Sequence, residues 1–159
     1  MKRSSLNSFS TWSHSPTNIC GSSGASPSIP EGFPEMRILI VEDNPDHREI
    51  LQTRLHSLGN VCQEATDGRK GFLTLCSSRF DLVFCDYRMP EMNGFQFIHT
   101  VRKTSGISTI PIIFMTTHSD RRVIDHAFSL GATTALVKPY SLENLKTALY
   151  LIRAQKRNP

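Results

Sequence analysis

RILIVEDNP, Arg37 to Pro45, carries the two signals from which the fold follows. Arg37–Val41 ends in four apolar residues in unbroken succession, the pattern of a strand buried on both faces of a parallel sheet. Two acids, Glu42 and Asp43, end the run. Asn44-Pro45 then supplies a helix N-cap followed by proline at the first helical position. Beyond it Ile50, Leu51, Leu55 and Leu58 fall on one apolar stripe, and Gly59 provides the stop.

The same unit recurs along the chain. Val61–Ala65 reads as a second strand and Gly68–Ser78 as a helix with Phe72, Leu73, Leu75 and Cys76 inward. Asp81–Cys85 is a third buried strand with Asp86 at its end. A Pro/Gly-marked loop, Met89 to Gly94, leads into a helix bearing Phe95, Phe97, Ile98 and Val101. Ile110–Met115 is the fourth strand, with Pro111 tolerable near its start. Asp120 caps a helix that turns Val123, Ile124, Ala127, Phe128 and Leu130 inward, and Gly131 follows it. Ala132–Val137 is the fifth strand, and Ser141 caps a last helix bearing Leu142, Leu145, Leu149 and Ile152. Five strands alternating with five helices predict an α/β chain. Right-handed crossovers that divide the helices between both faces favour a flavodoxin-like (βα)5 three-layer sandwich with parallel sheet order 2-1-3-4-5.

A chain of 159 residues suggests one domain and suffices to bury a core without staples. No apolar run approaches the ~20 residues that span a bilayer, so no membrane association is expected. The four cysteines (Cys20, Cys62, Cys76, Cys85) form no C-x-x-C pair; Cys62, Cys76 and Cys85 lie in apolar stretches as reduced, buried thiols would. A reducing compartment, the cytoplasm, is expected. The net charge of +4 is spread over scattered basic residues without aromatic interleaving, which points to a solvated surface and away from direct nucleic-acid binding. Residues 1–35 differ in kind: they hold ten serines and prolines at 16, 27, 30 and 34, with no periodicity. Such a segment buries too little apolar area to offset its ordering entropy, and it is expected to be a disordered extension of a domain spanning 36–157. Its serines resemble a transit peptide, but no amphipathic arginine pattern follows Lys2 and Arg3.

In open sheets of this type ligands sit outside the carboxyl ends of the strands. Strand 1 there ends in Glu42-Asp43, strand 3 in Asp86, strand 4 in Thr116-Thr117 and strand 5 in Lys138, whereas strand 2 offers nothing comparable. Any one of these residues could simply mark where water begins. The set is harder to dismiss, because no charge interrupts the four strand cores after their first residue and charged or hydroxyl groups then follow at once. Three close carboxylates repel unless a cation neutralises them, and an all-oxygen ligand set with room for water suits Mg²⁺. Mg²⁺ and Lys138 would stabilise a phosphoryl group in transfer, Thr116 could donate to one of its oxygens, and Asp86 is the natural nucleophile.

ILIVEDN (Ile38–Asn44), DLVFCDYRMPEMNG (Asp81–Gly94), PIIFMTT (Pro111–Thr117), GATTALVKP (Gly131–Pro139) and the following SLENL together resemble the response-regulator receiver domains of two-component signalling. The resemblance covers Met36 to about Lys156 and is closest to chemotaxis-type, single-domain members. It implies that Asp86 is the phosphorylated aspartate and that Asp43 binds Mg²⁺ directly. Glu42 would assist directly or through water, and the main-chain carbonyl of Arg88 would be a further ligand. Thr116 would hold a phosphoryl oxygen, Lys138 would pair with the phosphoryl group, and the Lys138-Pro139 bond would be cis. The implied partners are a sensor histidine kinase or histidine phosphotransfer protein as donor. A downstream protein would be reached through the helix 4–strand 5–helix 5 face, where Arg122, His126, Lys146 and Tyr150 are expected to be exposed. Such a protein is a phosphoacceptor and not an enzyme in the ordinary sense.

The sequence departs from the family pattern at two places. Ala135 stands where the family usually has Tyr or Phe, and Thr117 replaces the small residue usual after the strand-4 hydroxyl. With its end just after the last helix, the chain is expected to act as a stand-alone receiver. Three alternatives bear comparison. A degenerate receiver acting as a phosphorylation-independent interaction module is opposed by retention of all the phosphorylation residues. An FMN-binding flavodoxin-like protein would want a phosphate-cradling loop where Glu42-Asp43 stands. A haloacid-dehalogenase-type phosphatase would need an acid two residues after its nucleophile, where Arg88 stands.

Overall fold

The computed structural model describes residues 34–157. Its elements run β1 (Arg37–Val41), α1 (Pro45–Ser57), β2 (Val61–Ala65), α2 (Gly68–Ser77), β3 (Leu82–Asp86), α3 (Gly94–Lys103), β4 (Ile112–Thr116), α4 (Arg121–Ser129), β5 (Thr134–Val137) and α5 (Leu142–Arg157). All strand pairs are parallel and the sheet order is β2-β1-β3-β4-β5, as expected. The expected behaviour of residues 1–33 lies outside the described residues.

Strand side chains alternate between faces, and that alternation divides the core. Ile38, Ile40, Phe84, Ile113 and Met115 pack with Leu51 and Leu55 of α1 and with Leu145, Leu149 and Ile152 of α5. Leu39, Val41, Val83, Cys85 and Phe114 face the other way, against Leu75 of α2, Phe97, Ile98 and Val101 of α3, and Ala127 of α4. Two helices therefore cover one face and three the other. Asn44 caps α1 by accepting from the amides of Asp46 and His47, with Pro45 at the first helical position. At the far end Gly59 takes φ 75°, a conformation that favours glycine, and the chain turns into β2.

Several inward assignments are corrected. Ile50, Leu73, Phe128 and Leu142 are exposed, and so is Cys76. In α2 the inward row is Gly68, Gly71 and Leu75, flanked by Phe72. A Cβ on Gly71 would come within 2.7 Å of Val41, so the helix lies too close to β1 for a larger residue. Glycines add nothing to an apolar stripe, and the stripe read without them was rotated outward. Strand limits also shift: β3 takes in Asp86, while β4 and β5 begin two residues later than expected, at Ile112 and Thr134. The Pro111 carbonyl still accepts from the Val83 amide at 3.0 Å, as befits a strand entry.

The three cysteines in this region separate sharply. Cys85 is fully buried, and burial together with the charge of Asp86 pushes its thiol well above the usual range. Burial and Glu64 push half-buried Cys62 up to about 12. In a chain carrying Cys20→Ser, an aromatic disulfide reagent at pH 8 should modify Cys76 promptly and leave Cys62 and Cys85 untouched until the protein is unfolded. Rapid reaction at Cys85 in the native protein would contradict this packing.

Candidate functional site

Four strand ends converge at the carboxyl edge of the sheet. Val41 pairs with Cys85, which sets Glu42 beside Asp86; Asp86 itself pairs with Met115, and Thr116 with Val137. Glu42, Asp86 and Thr116 are buried, while Asp43 is exposed. Lys138 reaches across from the end of β5, its Nζ 2.5 Å from both Glu42 Oε2 and Asp86 Oδ1. The second Asp86 oxygen accepts the Arg88 amide at 2.8 Å. Thr116 Oγ1 accepts the His118 amide at 3.0 Å, and the Lys138 amide donates to the Thr116 carbonyl at 2.7 Å. The Lys138-Pro139 peptide is cis, as the resemblance implied.

Charge dominates here. Burial alone pulls the Lys138 ammonium down, but its hydrogen bonds and charge pairing with Asp86 and Glu42 outweigh that, and the net displacement is upward. Glu42, Asp43 and Asp86 each place a carboxylate oxygen within 4.8 Å of the others. One lysine against three carboxylates leaves an excess of negative charge. That excess, together with a donor set made only of oxygens, fits a small divalent cation such as Mg²⁺. The close approach of backbone around the site depends on Gly94, where a Cβ would lie 2.5 Å from the Asp86 carbonyl.

The structure thus brings together the side chains of Glu42, Asp43, Asp86 and Lys138, Arg88 joins them through its backbone amide, and Thr116 stands at the adjoining strand end with its hydroxyl on the His118 amide. It also reveals participants the sequence did not single out. His47 Nδ1 is 3.5 Å from Glu42, and Arg48 donates to the Glu42 carbonyl at 2.8 Å and to Glu64 at 3.0 Å. Glu64 lies on β2, the strand that seemed to contribute nothing. A run of rings leaves the site on its other side. Tyr87 contacts Phe95 at 4.7 Å and Phe114 at 5.6 Å, with the His118 ring edge-on at 5.9 Å, and Phe95 meets His126 of α4 at 4.6 Å. These contacts join residues far apart in sequence, so no local periodicity announces them.

Comparison with known proteins decides the family. A family model for the response regulator receiver domain matches residues 38–150. The chain belongs to the response-regulator receiver family. A probable chemotaxis protein CheY of Rhizobium etli is 32% identical over 116 residues, 72% of this chain and 90% of that protein. The sensor protein EvgS of Escherichia coli is 34% identical over 121 residues, 76% of this chain but only 10% of the sensor. Among solved structures, chemotaxis response regulator CheY4 of Vibrio cholerae superposes with TM-score 0.71 at 31% identity, covering 75% of this receiver and 99% of that chain. The receiver domain of a Pseudomonas aeruginosa sensor histidine kinase, solved with magnesium in its active-site cleft, gives TM-score 0.71 at 25% identity, covering 76% and 99%. Receiver domains of this family serve two-component systems as signalling phosphoacceptors. No helix among the described residues is long and apolar enough to cross a membrane.

Replacing Lys138 should expose the repulsion it contains. Its raised pKa means that its stabilising contribution is complete below its ordinary value of 10.5 and is lost as pH rises through the folded value. Lys138→Met should therefore lose about 3 kcal/mol in metal-free urea denaturation at neutral pH, with the gap to the native protein closing only in the alkaline range. An undiminished gap there would contradict the assignment.

Proposed function

We propose that Asp86 accepts a phosphoryl group from a phosphohistidine, held by a sensor histidine kinase or a histidine phosphotransfer protein. The observation that carries this reading is the Lys138 ammonium bridging two buried carboxylates, Asp86 and Glu42, at the mouth of the sheet. A carboxylate oxygen of Asp86 bonds to phosphorus as the phosphorus–nitrogen bond breaks, and the imidazole leaves with that electron pair. Lys138 is already in contact with Asp86 and pairs with the incoming phosphoryl oxygens. The Thr116 hydroxyl can accept the His118 amide and still donate its own proton to a phosphoryl oxygen. Glu42, Asp43, Asp86 and the Arg88 carbonyl would hold Mg²⁺, which when bound offsets charge developing on the phosphoryl oxygens.

The functional unit is taken as residues 36–157, with residues 1–35 an extension dispensable to it. Three cysteines of that unit are free, in keeping with a cytoplasmic setting. Incubation with acetyl phosphate and Mg²⁺ should add one acid-labile phosphoryl group by mass, and Asp86→Ala should abolish it. Retention of Mg²⁺-dependent labelling in that variant would refute the assignment.

Output is assigned to a protein partner at the α4–β5–α5 face. Arg122, His126 and Tyr150 are exposed there, while Lys146 is half-buried and paired with Glu143 at 3.0 Å. Ala135 puts no ring on β5. A Thr116 hydroxyl drawn to a phosphoryl group would instead disturb the His118 amide it holds, and His118 lies at one end of the rings that reach His126. Amide shifts with beryllofluoride should accordingly extend from the pocket through residues 118–130. Shifts that stop at the pocket, leaving α4 and α5 unmoved, would mean the receiver does not signal through this face.

A further inference from the structure

Arg48 occupies a position that its charge alone does not favour. It is the fourth residue of α1, near a helix N-terminus, where the backbone dipole disfavours a cation. Its side chain is nonetheless largely covered, with 14% exposed, and it does not extend into water. Nε donates to Glu64 Oε2 at 3.0 Å, and one terminal nitrogen donates to the Glu42 carbonyl at 2.8 Å and reaches the Asp43 carbonyl at 3.4 Å. The planar guanidinium holds those two directions in a fixed relation.

We propose that Arg48 is a positioning residue for the acid pair: it fixes the Glu42-Asp43 backbone against β2 and so sets the affinity of the carboxylate cluster for a divalent cation. The inference rests on the reading that this cluster binds Mg²⁺. The turn is held at both ends. The Glu42 amide donates to the Ala65 carbonyl at 3.1 Å, and the Glu42 carbonyl is held by Arg48, which Glu64 on the same edge strand braces in turn. Asp43 follows directly, exposed and without a strand partner, so its carboxylate is aimed by the backbone that Arg48 grips. Glu64 touches neither Lys138 nor Asp86 through any bond described above and acts through Arg48.

Charge and geometry make opposite predictions for this residue. Removing a cation close to an acidic cluster should, through space, strengthen binding of another cation. Removing a brace that orients ligands should weaken it, typically by tenfold or more.

The test is a Mg²⁺ titration of the full chain followed by amide chemical shifts, with the fold of each variant checked by circular dichroism in metal-free buffer. Arg48→Ala should bind Mg²⁺ roughly tenfold more weakly than the native chain. Glu64→Ala should also weaken it, and the double variant should be no weaker than Arg48→Ala, because Glu64 works only through the arginine. Arg48→Lys keeps the charge but cannot span both partners, so it too should lose affinity; it carries the test should Arg48→Ala fail to fold. Native-like or tighter binding in Arg48→Lys or in a folded Arg48→Ala overturns the inference while leaving the metal site intact. A native chain whose shifts ignore Mg²⁺ overturns the metal site itself, and the role of Arg48 with it.

Discussion

Repulsion among carboxylates is the constraint on which this molecule turns. Glu42 is 2% exposed and Asp86 6%, and Asp43 places an oxygen close to both. Carboxylates so near one another, two of them largely out of water, repel unless cations sit among them. Lys138 is the cation that directly bridges the two buried carboxylates. It must arrive from β5, beyond β4, and reach past Asp86 on β3 to Glu42 after β1. A single ammonium thus spans the sheet from its β5 edge to β1, and its length and covered position make sense only because the acids are there.

That bridge in turn demands a fixed register. Each strand alternates residues between two packed faces, so a slip of one residue would turn Phe84 and Phe114 away from their own cores. The apolar faces are therefore what hold Glu42, Asp86, Thr116 and Lys138 at one level. The fold stabilises the register, and the register creates an electrostatic problem that Lys138 relieves only in part. The residual negative charge suits the site to a metal cation, and only with such a cation bound would an anionic phosphoryl group be tolerated beside Asp86.

The sheet order and the meeting of the acids with Lys138 at the carboxyl edge were legible because both follow from local patterns. Apolar runs of five or so residues mark doubly buried strands, and whatever polar residue follows each run must lie at the carboxyl edge. Helix faces were less legible. In α2 the inward row includes Gly71, pressed against Val41 of β1, and Gly68, pressed against Met92 of the loop before α3; neither leaves room for a side chain or marks an apolar stripe, so Leu73 and Cys76 are exposed where the sequence pattern turned them inward. Strand starts at β4 and β5 were misplaced because Ile110, Pro111, Ala132 and Thr133 are apolar or β-branched enough to extend a run past the point where pairing begins. Arg48, Glu64 and the Tyr87–Phe95–His126 rings were invisible for another reason. Each depends on contact between elements, which a single sequence does not encode at any fixed spacing.

Those unforeseen residues sort onto opposite sides of the site, and the division has a physical sense. Toward β2 lie ionic and backbone hydrogen bonds, Arg48 to Glu64 and to Glu42, which are directional and hold the turn to one geometry. Toward β4 and α4 lie ring contacts between 4.6 and 5.9 Å, with the His118 Nε2 buried and lacking a hydrogen-bond partner. Aromatic packing tolerates displacement better than a bidentate clamp, and an unsatisfied buried nitrogen makes an alternative His118 placement less costly. A rigid acid turn on one flank and a displaceable ring run on the other would convert a change at Asp86 into movement on the α4 side alone. With only Ala135 on β5, that asymmetry would give a signal from Asp86 a direction without the usual aromatic residue.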